Sequence, residues 1–152
     1  MISKKEQFAY TRYADLFVEK LQQMLHTKVL RVTEERCDIA EPNYAVSLCM
    51  DGDIHFVSGF IAEEPVFWEL AHRYSEMPLT EMEDLAADSM MEFLNVLHGL
   101  FAIVLAEENV ECDLQLARWA KNVVPHASSQ QLVTVQTDCG VLQVVMAADE
   151  FI

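Results

Sequence analysis

Asp88, Glu92, Asn95 and Gly99 follow one another at intervals of four, three and four residues within the segment Thr80–Glu108. An α-helix turns about 100° per residue, so these intervals set side chains on one face. With Asp88 taken as zero, Asp84, Glu92, Asn95, Gly99, Ala102 and Ala106 fall within about 40° of it. The first half of that stripe is acid and amide; the second half has almost no side chain. A carboxylate only accepts hydrogen bonds and attracts cations, whereas an amide both donates and accepts without adding charge. Solvated helix faces usually carry long polar residues, and glycine costs roughly 1 kcal/mol of helix propensity relative to alanine. Two explanations fit a bare stripe beside Glu92 and Asn95. The small residues admit another element of the same domain, or they let another protein come close.

The helix that carries the stripe is legible from its other side. Phe93, Leu94, Leu97, Leu100, Phe101 and Val104 cluster opposite Asp88 and predict a core-facing surface. Thr80-Glu81-Met82-Glu83 has the form of a capping box, and Glu81, Glu83 and Asp84 suit the positive end of the helix dipole. One unbroken helix from about Thr80 to Glu107 or Glu108 follows.

The remaining elements read in the same way. Phe8, Leu16, Phe17, Leu21, Met24 and Leu25 predict a helix over 4–25, and Lys28–Thr33 a short strand. Tyr44, Val46, Leu48 and Met50 alternate with smaller or polar residues, as in a strand. Asp51-Gly52 then predicts a hairpin turn with both residues at positive φ, leading into a strand over Asp53–Phe60. Glu63-Glu64-Pro65 opens a short helix with an apolar face of Val66, Phe67, Leu70 and Tyr74. After the long helix, Val110, Cys112, Leu114 and Leu116 predict a half-buried strand. Gln131–Thr137 and Val141–Ala147 predict a second hairpin turning at Asp138-Cys139-Gly140, after a loop over Lys121–Gln130 that includes Ser128 and Ser129. The order is helix, strand, hairpin, then helices, strand, hairpin. It predicts an internal duplication and an α+β fold: one domain over residues 1–152, with a single antiparallel sheet covered on a face by the long helices.

Composition narrows the function. Hydrophobic residues make up 52% of the chain, enough for a core. A net charge of −15 repels phosphate backbones and anionic lipid, so nucleic acid is excluded as a partner and a basic protein surface is favoured. The apolar run Leu94–Ala106 is too short to cross a bilayer and no leader precedes the first helix, so the expectation is a cytoplasmic protein. Cys37, Cys49, Cys112 and Cys139 lack metal-site spacing and read as reduced, mostly buried thiols. His72, His98 and His126 form no metal motif. His98 sits about 80° from Asp88, away from Glu92, which predicts a groove-edge or partly buried place. Trp68 and Trp119 read as packing residues.

The run Asp88-Ser-Met-Met-Glu92-Phe-Leu-Asn95-Val-Leu-His-Gly99 resembles the signature of the CheC/CheX/FliY family of chemotaxis phosphatases: an acid or serine, three residues, Glu, two residues, Asn, with a glycine a turn beyond. Chain length and element order resemble the CheX-like, single-site members. Asp15, Glu19 and Gln22 repeat the spacing on the first helix, with Gln in place of Asn, like a decayed second copy. One departure is that Leu114-Gln115-Leu116-Ala117 lacks the proline usual after this helix.

The resemblance implies a CheC-like fold and hydrolysis of the aspartyl-phosphate of a phosphorylated CheY-like receiver domain. An acyl phosphate is already reactive, so the task is to place a water in line with phosphorus. In that scheme Asn95 orients the water, Glu92 pairs with a receiver lysine, and Asp88 and Gly99 contact the partner. Magnesium belongs to the receiver; the chain itself needs no metal or cofactor. A homodimer is implied by resemblance only. The rival expectation is a non-catalytic receiver-binding adaptor or a flagellar-switch-like structural protein.

Overall fold

The computed structural model describes residues 3–79, 82–126 and 130–152. The elements in chain order are α1 (Lys4–Met24), β1 (Val29–Thr33), β2 (Asn43–Gly52), β3 (His55–Glu63), α2 (Glu64–Ser75), α3 (Glu83–Glu107), β4 (Cys112–Leu114), β5 (Arg118–Lys121), β6 (Gln130–Thr137) and β7 (Gly140–Ala147). The seven strands form one antiparallel sheet in the order β1-β6-β7-β3-β2-β4, with β5 also on β2. The first half contributes α1, the edge strand β1 and the β2–β3 hairpin, and the second contributes α2 and α3, the short edge strands β4 and β5, and the β6–β7 hairpin. Each edge strand pairs with the other half's hairpin: β1 with β6, and β4 and β5 with β2. The sheet is therefore symmetric about the β3–β7 pair, as the duplicated element order predicts.

The core lies between the helices and one sheet face. Tyr13, Phe17, Phe56, Phe60, Phe67, Phe93 and Phe101 fill it in mostly tilted or edge-on pairs. The reverse face has its own smaller cluster of Ala45, Cys49, Val57, Ile61, Val145, Ala147 and Phe151. Strands at the sheet centre are buried on both sides, so β2 is buried continuously from Asn43 to Met50. Tyr44, Val46, Leu48 and Met50 face the helices, and the small residues between them face the second cluster.

Several boundaries differ from the sequence expectation, each for a physical reason. The β2–β3 hairpin exists, but β2 continues through Gly52 and the last rung is Asp51–His55. Asp51 is not at positive φ, whereas Gly52 is, at φ 159°. Glycine is needed there because any Cβ would run into the Glu111 carbonyl oxygen of the neighbouring chain segment. The predicted strand Val110–Leu116 shrinks to three residues. Val110 is buried and Cys112 packs against the core, but Leu114 is 38% exposed and Leu116 89%, so the buried face ends early. The chain breaks its pairing there and resumes on β2 as β5, which the sequence reading had missed.

Helix ends follow local chemistry. The Ser3 hydroxyl caps α1, accepting from the Glu6 N–H at 3.2 Å and donating to the Glu6 carboxylate at 3.1 Å. The capping box predicted between Thr80 and Glu83 rests on Thr80, which lies outside the described residues. The cap residue of α3 is Met82, without a side-chain cap. Glu83 instead accepts from Lys121 Nζ at 2.7 Å and from the Tyr44 hydroxyl at 2.9 Å, joining the helix start to β5 and β2. The other end of α3 stops where Asn109 turns left-handed (φ 60°). The N–H groups of Val110 and Asn109 then return to the carbonyls of Leu105 and Ala106. By length and composition alone α3 could span a membrane, contrary to the expectation from its longest apolar run. Nine of its residues, from Ala86 to Leu105, are buried, while Leu85, Val96 and Ile103 of the same helix are exposed. Of the predicted loop, Lys121 belongs to β5, while Ala127, Ser128 and Ser129 lie outside the described residues.

Candidate functional site

Packing of Phe93, Leu94 and Leu97 into the core fixes the rotation of α3 about its axis. That rotation leaves Asp84, Asp88, Glu92 and Asn95 exposed along one stripe. Asn95 and Asp88 make no side-chain hydrogen bond to any described residue, so the donors and acceptor of the amide are open to a partner or to water. Gly99 is half-buried, yet a Cβ built on it meets nothing within 4 Å. Among the described residues, then, no other element of this chain packs over Gly99. Whereas Ala102 is partly buried against the core, at Gly99 this argues against the first of the two explanations for the small-residue stripe. Val96 and Ile103 add apolar side chains at its margin, 40% and 58% exposed.

Glu92 has a neighbour that the sequence reading did not place. The Tyr74 hydroxyl, from the last turn of α2, donates to Glu92 Oε1 at 3.1 Å. Its ring rests edge-on against Phe93, centroids 6.0 Å apart. Burial first, and then the Glu92 carboxylate, push the Tyr74 phenol up to about 12. The helical spacing places Tyr74 on the apolar face of α2, and its ring does pack there. Nothing in the spacing of residues 74 and 92 signals the contact, because it depends on how α2 and α3 cross.

His98 is a correction. It is not at a groove edge but wholly buried. Its Nδ1–H donates to the Leu94 carbonyl at 2.8 Å, and the Ser58 hydroxyl donates to Nε2 at 2.6 Å. Burial drives its pKa down to about 4, so it is neutral and inaccessible, one turn from Asn95 but not part of the exposed stripe. His72 and His126 are exposed and bond to backbone carbonyls.

Other reactive groupings are weaker. On the far sheet face, Cys49 Sγ lies 3.7 Å from His55 Nε2, and His55 Nδ1 lies 3.2 Å from Asp51. This has the outline of a nucleophile, base and orienting acid. However, burial, with Glu150 and Asp51 nearby, pushes the Cys49 thiol up, the reverse of what a thiolate nucleophile requires. All four cysteines are free; Cys49 is buried and the other three are half-buried. Among the described residues no cluster of His, Cys, Asp or Glu could hold a metal ion. On α1, Asp15, Glu19 and Gln22 are exposed as well, but Glu19 is engaged by Gln23 at 3.3 Å.

Trp119 lies beside Tyr44, with ring centroids 6.1 Å apart, and Trp68 is half-buried against the core, so both pack as expected.

No family model and no curated protein matches the sequence. Solved structures do match the fold. CheX from Desulfovibrio desulfuricans superposes with a TM-score of 0.73 at 11% identity, over 91% of this chain and 99% of that one. A CheC-like superfamily protein from Shewanella sp. PV-4 gives 0.72 at 14% identity, over 95% and 97%. CheX from Borrelia burgdorferi, solved in a complex with CheY, BeF3 and Mg2+, gives 0.72 at 14% identity, over 91% and 96%. Near-complete coverage in both directions means that the whole duplicated architecture is shared, not one motif. The fold of this chain is that of the CheX and CheC-like chemotaxis proteins.

Proposed function

We propose that this chain is a cytoplasmic phosphatase that hydrolyses the aspartyl-phosphate of a CheY-like receiver domain. The observation that carries the reading is the exposed Glu92–Asn95 pair, one turn apart on α3, with open space over Gly99 beyond it. Support for the partner comes from the B. burgdorferi CheX, which shares the fold and was solved with CheY.

The chemistry asked of the site is modest. The receiver supplies the phosphoryl group and its magnesium. Glu92 pairs with a cationic side chain of the receiver and sets the register. Asn95, uncharged and unbonded, enters the receiver's site, where its carbonyl accepts from a water and its N–H2 donates to an oxygen nearby. Holding that water in line with phosphorus supplies the orientation that bulk water lacks. Asp88 and Gly99 lie at the contact, Asp88 adding charge and Gly99 allowing close approach. The net charge of −15 favours a basic docking surface.

The test is the decay of a phosphorylated receiver from the same organism, in magnesium, with and without this protein and with Asn95→Ala beside it. Acceleration that depends on Asn95 is the expected result. Phosphorylation-dependent binding with an unchanged phosphate lifetime would overturn the catalytic reading in favour of an adaptor.

A further inference from the structure

We propose that Tyr74 is a positioning residue for this site, holding the Glu92 carboxylate in the orientation that receives the partner's cation. The inference rests on the reading of Glu92 as the docking carboxylate. An exposed glutamate on a helix has three rotatable bonds and no preferred direction for its charge. Glu92 is exposed, yet its Oε1 takes the Tyr74 hydroxyl at 3.1 Å. That hydroxyl is itself well placed. The Tyr74 ring is half-buried and packs on Phe93, and Phe93 is fully buried against Phe17. The carboxylate of α3 is thus tied through one bond to the packed interface of α2 and α3.

The bond occupies one oxygen only. Oε2 has no partner among the described residues, so the site offers a single oriented acceptor. A single acceptor matches a compact ammonium group better than a planar guanidinium fork, which is satisfied by two parallel oxygens. Tyr74 does not touch the reacting atoms in this arrangement. Its phenol stays protonated throughout the neutral range, so it donates steadily and cannot serve as a base. A fixed carboxylate loses less rotamer freedom on docking, which lowers the entropic cost of association.

The experiment is a double-mutant cycle on the full chain with a phosphorylated receiver, comparing Tyr74→Phe, Glu92→Ala and the double variant. Phenylalanine keeps the ring packing and removes only the hydroxyl. The expected result is KM raised roughly three- to tenfold by Tyr74→Phe with kcat unchanged, and no further change when Glu92 is already alanine. An equal effect of Tyr74→Phe in both backgrounds would overturn the proposal, since it would mean the hydroxyl acts through general packing. So would a loss in kcat alone.

A second measurement needs no receiver: the titration of the Tyr74 ring carbon by NMR, before and after Glu92→Ala. A titration that moves down in the variant supports the tie; one that does not move overturns it. Failure of the unaltered protein to bind any receiver would sink the proposed function, and the NMR result would still decide whether Tyr74 holds Glu92.

Discussion

The His98 imidazole and the Ser58 hydroxyl, 2.6 Å apart, form a buried polar bridge between α3 and β3. Nδ1–H donates to the Leu94 carbonyl, so in the neutral ring Nε2 accepts from the Ser58 hydroxyl. Protonation would leave a charge facing Ser58 and the Tyr13 ring, 5.1 Å away, in a site without solvent. The folded-state pKa of about 4 lies below the ordinary value near 6.5. Above pH 6.5 neither state binds the proton and the full stability is present. Between pH 6.5 and 4 the unfolded chain binds it and the folded chain does not, so stability falls as pH falls, by about 3 kcal/mol in total. Urea unfolding at pH 7, 6, 5 and 4.5 should show this slope. His98→Gln should be less stable at pH 7 and lack most of the slope above pH 5.

Asn95→Ala should leave the fold intact. The side chain is exposed and unbonded, so the stability change should stay within about 0.5 kcal/mol. Under the proposed function, receiver dephosphorylation should fall about a hundredfold while receiver affinity changes little. Thermal unfolding and receiver decay, measured on the same preparation, separate the two. A large drop in Tm would show a structural role for Asn95 instead.

Glu92→Ala should weaken receiver binding as well as turnover. It also leaves the Tyr74 hydroxyl without its acceptor, on the half-buried side of α2. The expected stability loss is about 1 kcal/mol or less, because water can reach the vacated place. Binding measured by calorimetry at two salt concentrations should show the difference between the two proteins shrinking at high salt.

Gly99 allows stability and docking to be pulled apart. Since a Cβ there meets open space, Gly99→Ala should stabilise the protein by roughly 1 kcal/mol of helix propensity. For a chain of this size that is about 2–4 °C in Tm. Gly99→Leu should fold equally well but lower receiver affinity tenfold or more by standing in the contact. Unchanged affinity in the leucine variant would mean that the partner does not approach this part of the stripe.

Much of the architecture was legible because periodic elements announce themselves. The apolar face of α3, the Pro65 helix start and the two hairpins each depend on neighbours within a few residues. Errors arose where a distant segment decided the outcome. Beyond its positive φ, Gly52 is required by the Glu111 carbonyl oxygen that packs against it. The strand predicted over Val110–Leu116 is only Cys112–Leu114, because alternation predicts a buried face only if something lies over that face. At this sheet edge Leu116 meets solvent.

What the sequence alone determined about this protein is the helix, its phase, and hence the side-by-side placement of Asp88, Glu92, Asn95 and Gly99. A rise and a turn per residue are properties of the backbone, and an apolar stripe orients them. Only the tertiary structure decided which of these residues are free and which are held. It left Asn95 unbonded and Gly99 uncovered, tied Glu92 to Tyr74, and buried His98 against Ser58. Those outcomes depend on how α2, α3 and β3 pack, and the distance between residues far apart in sequence is not encoded in the period of any one element.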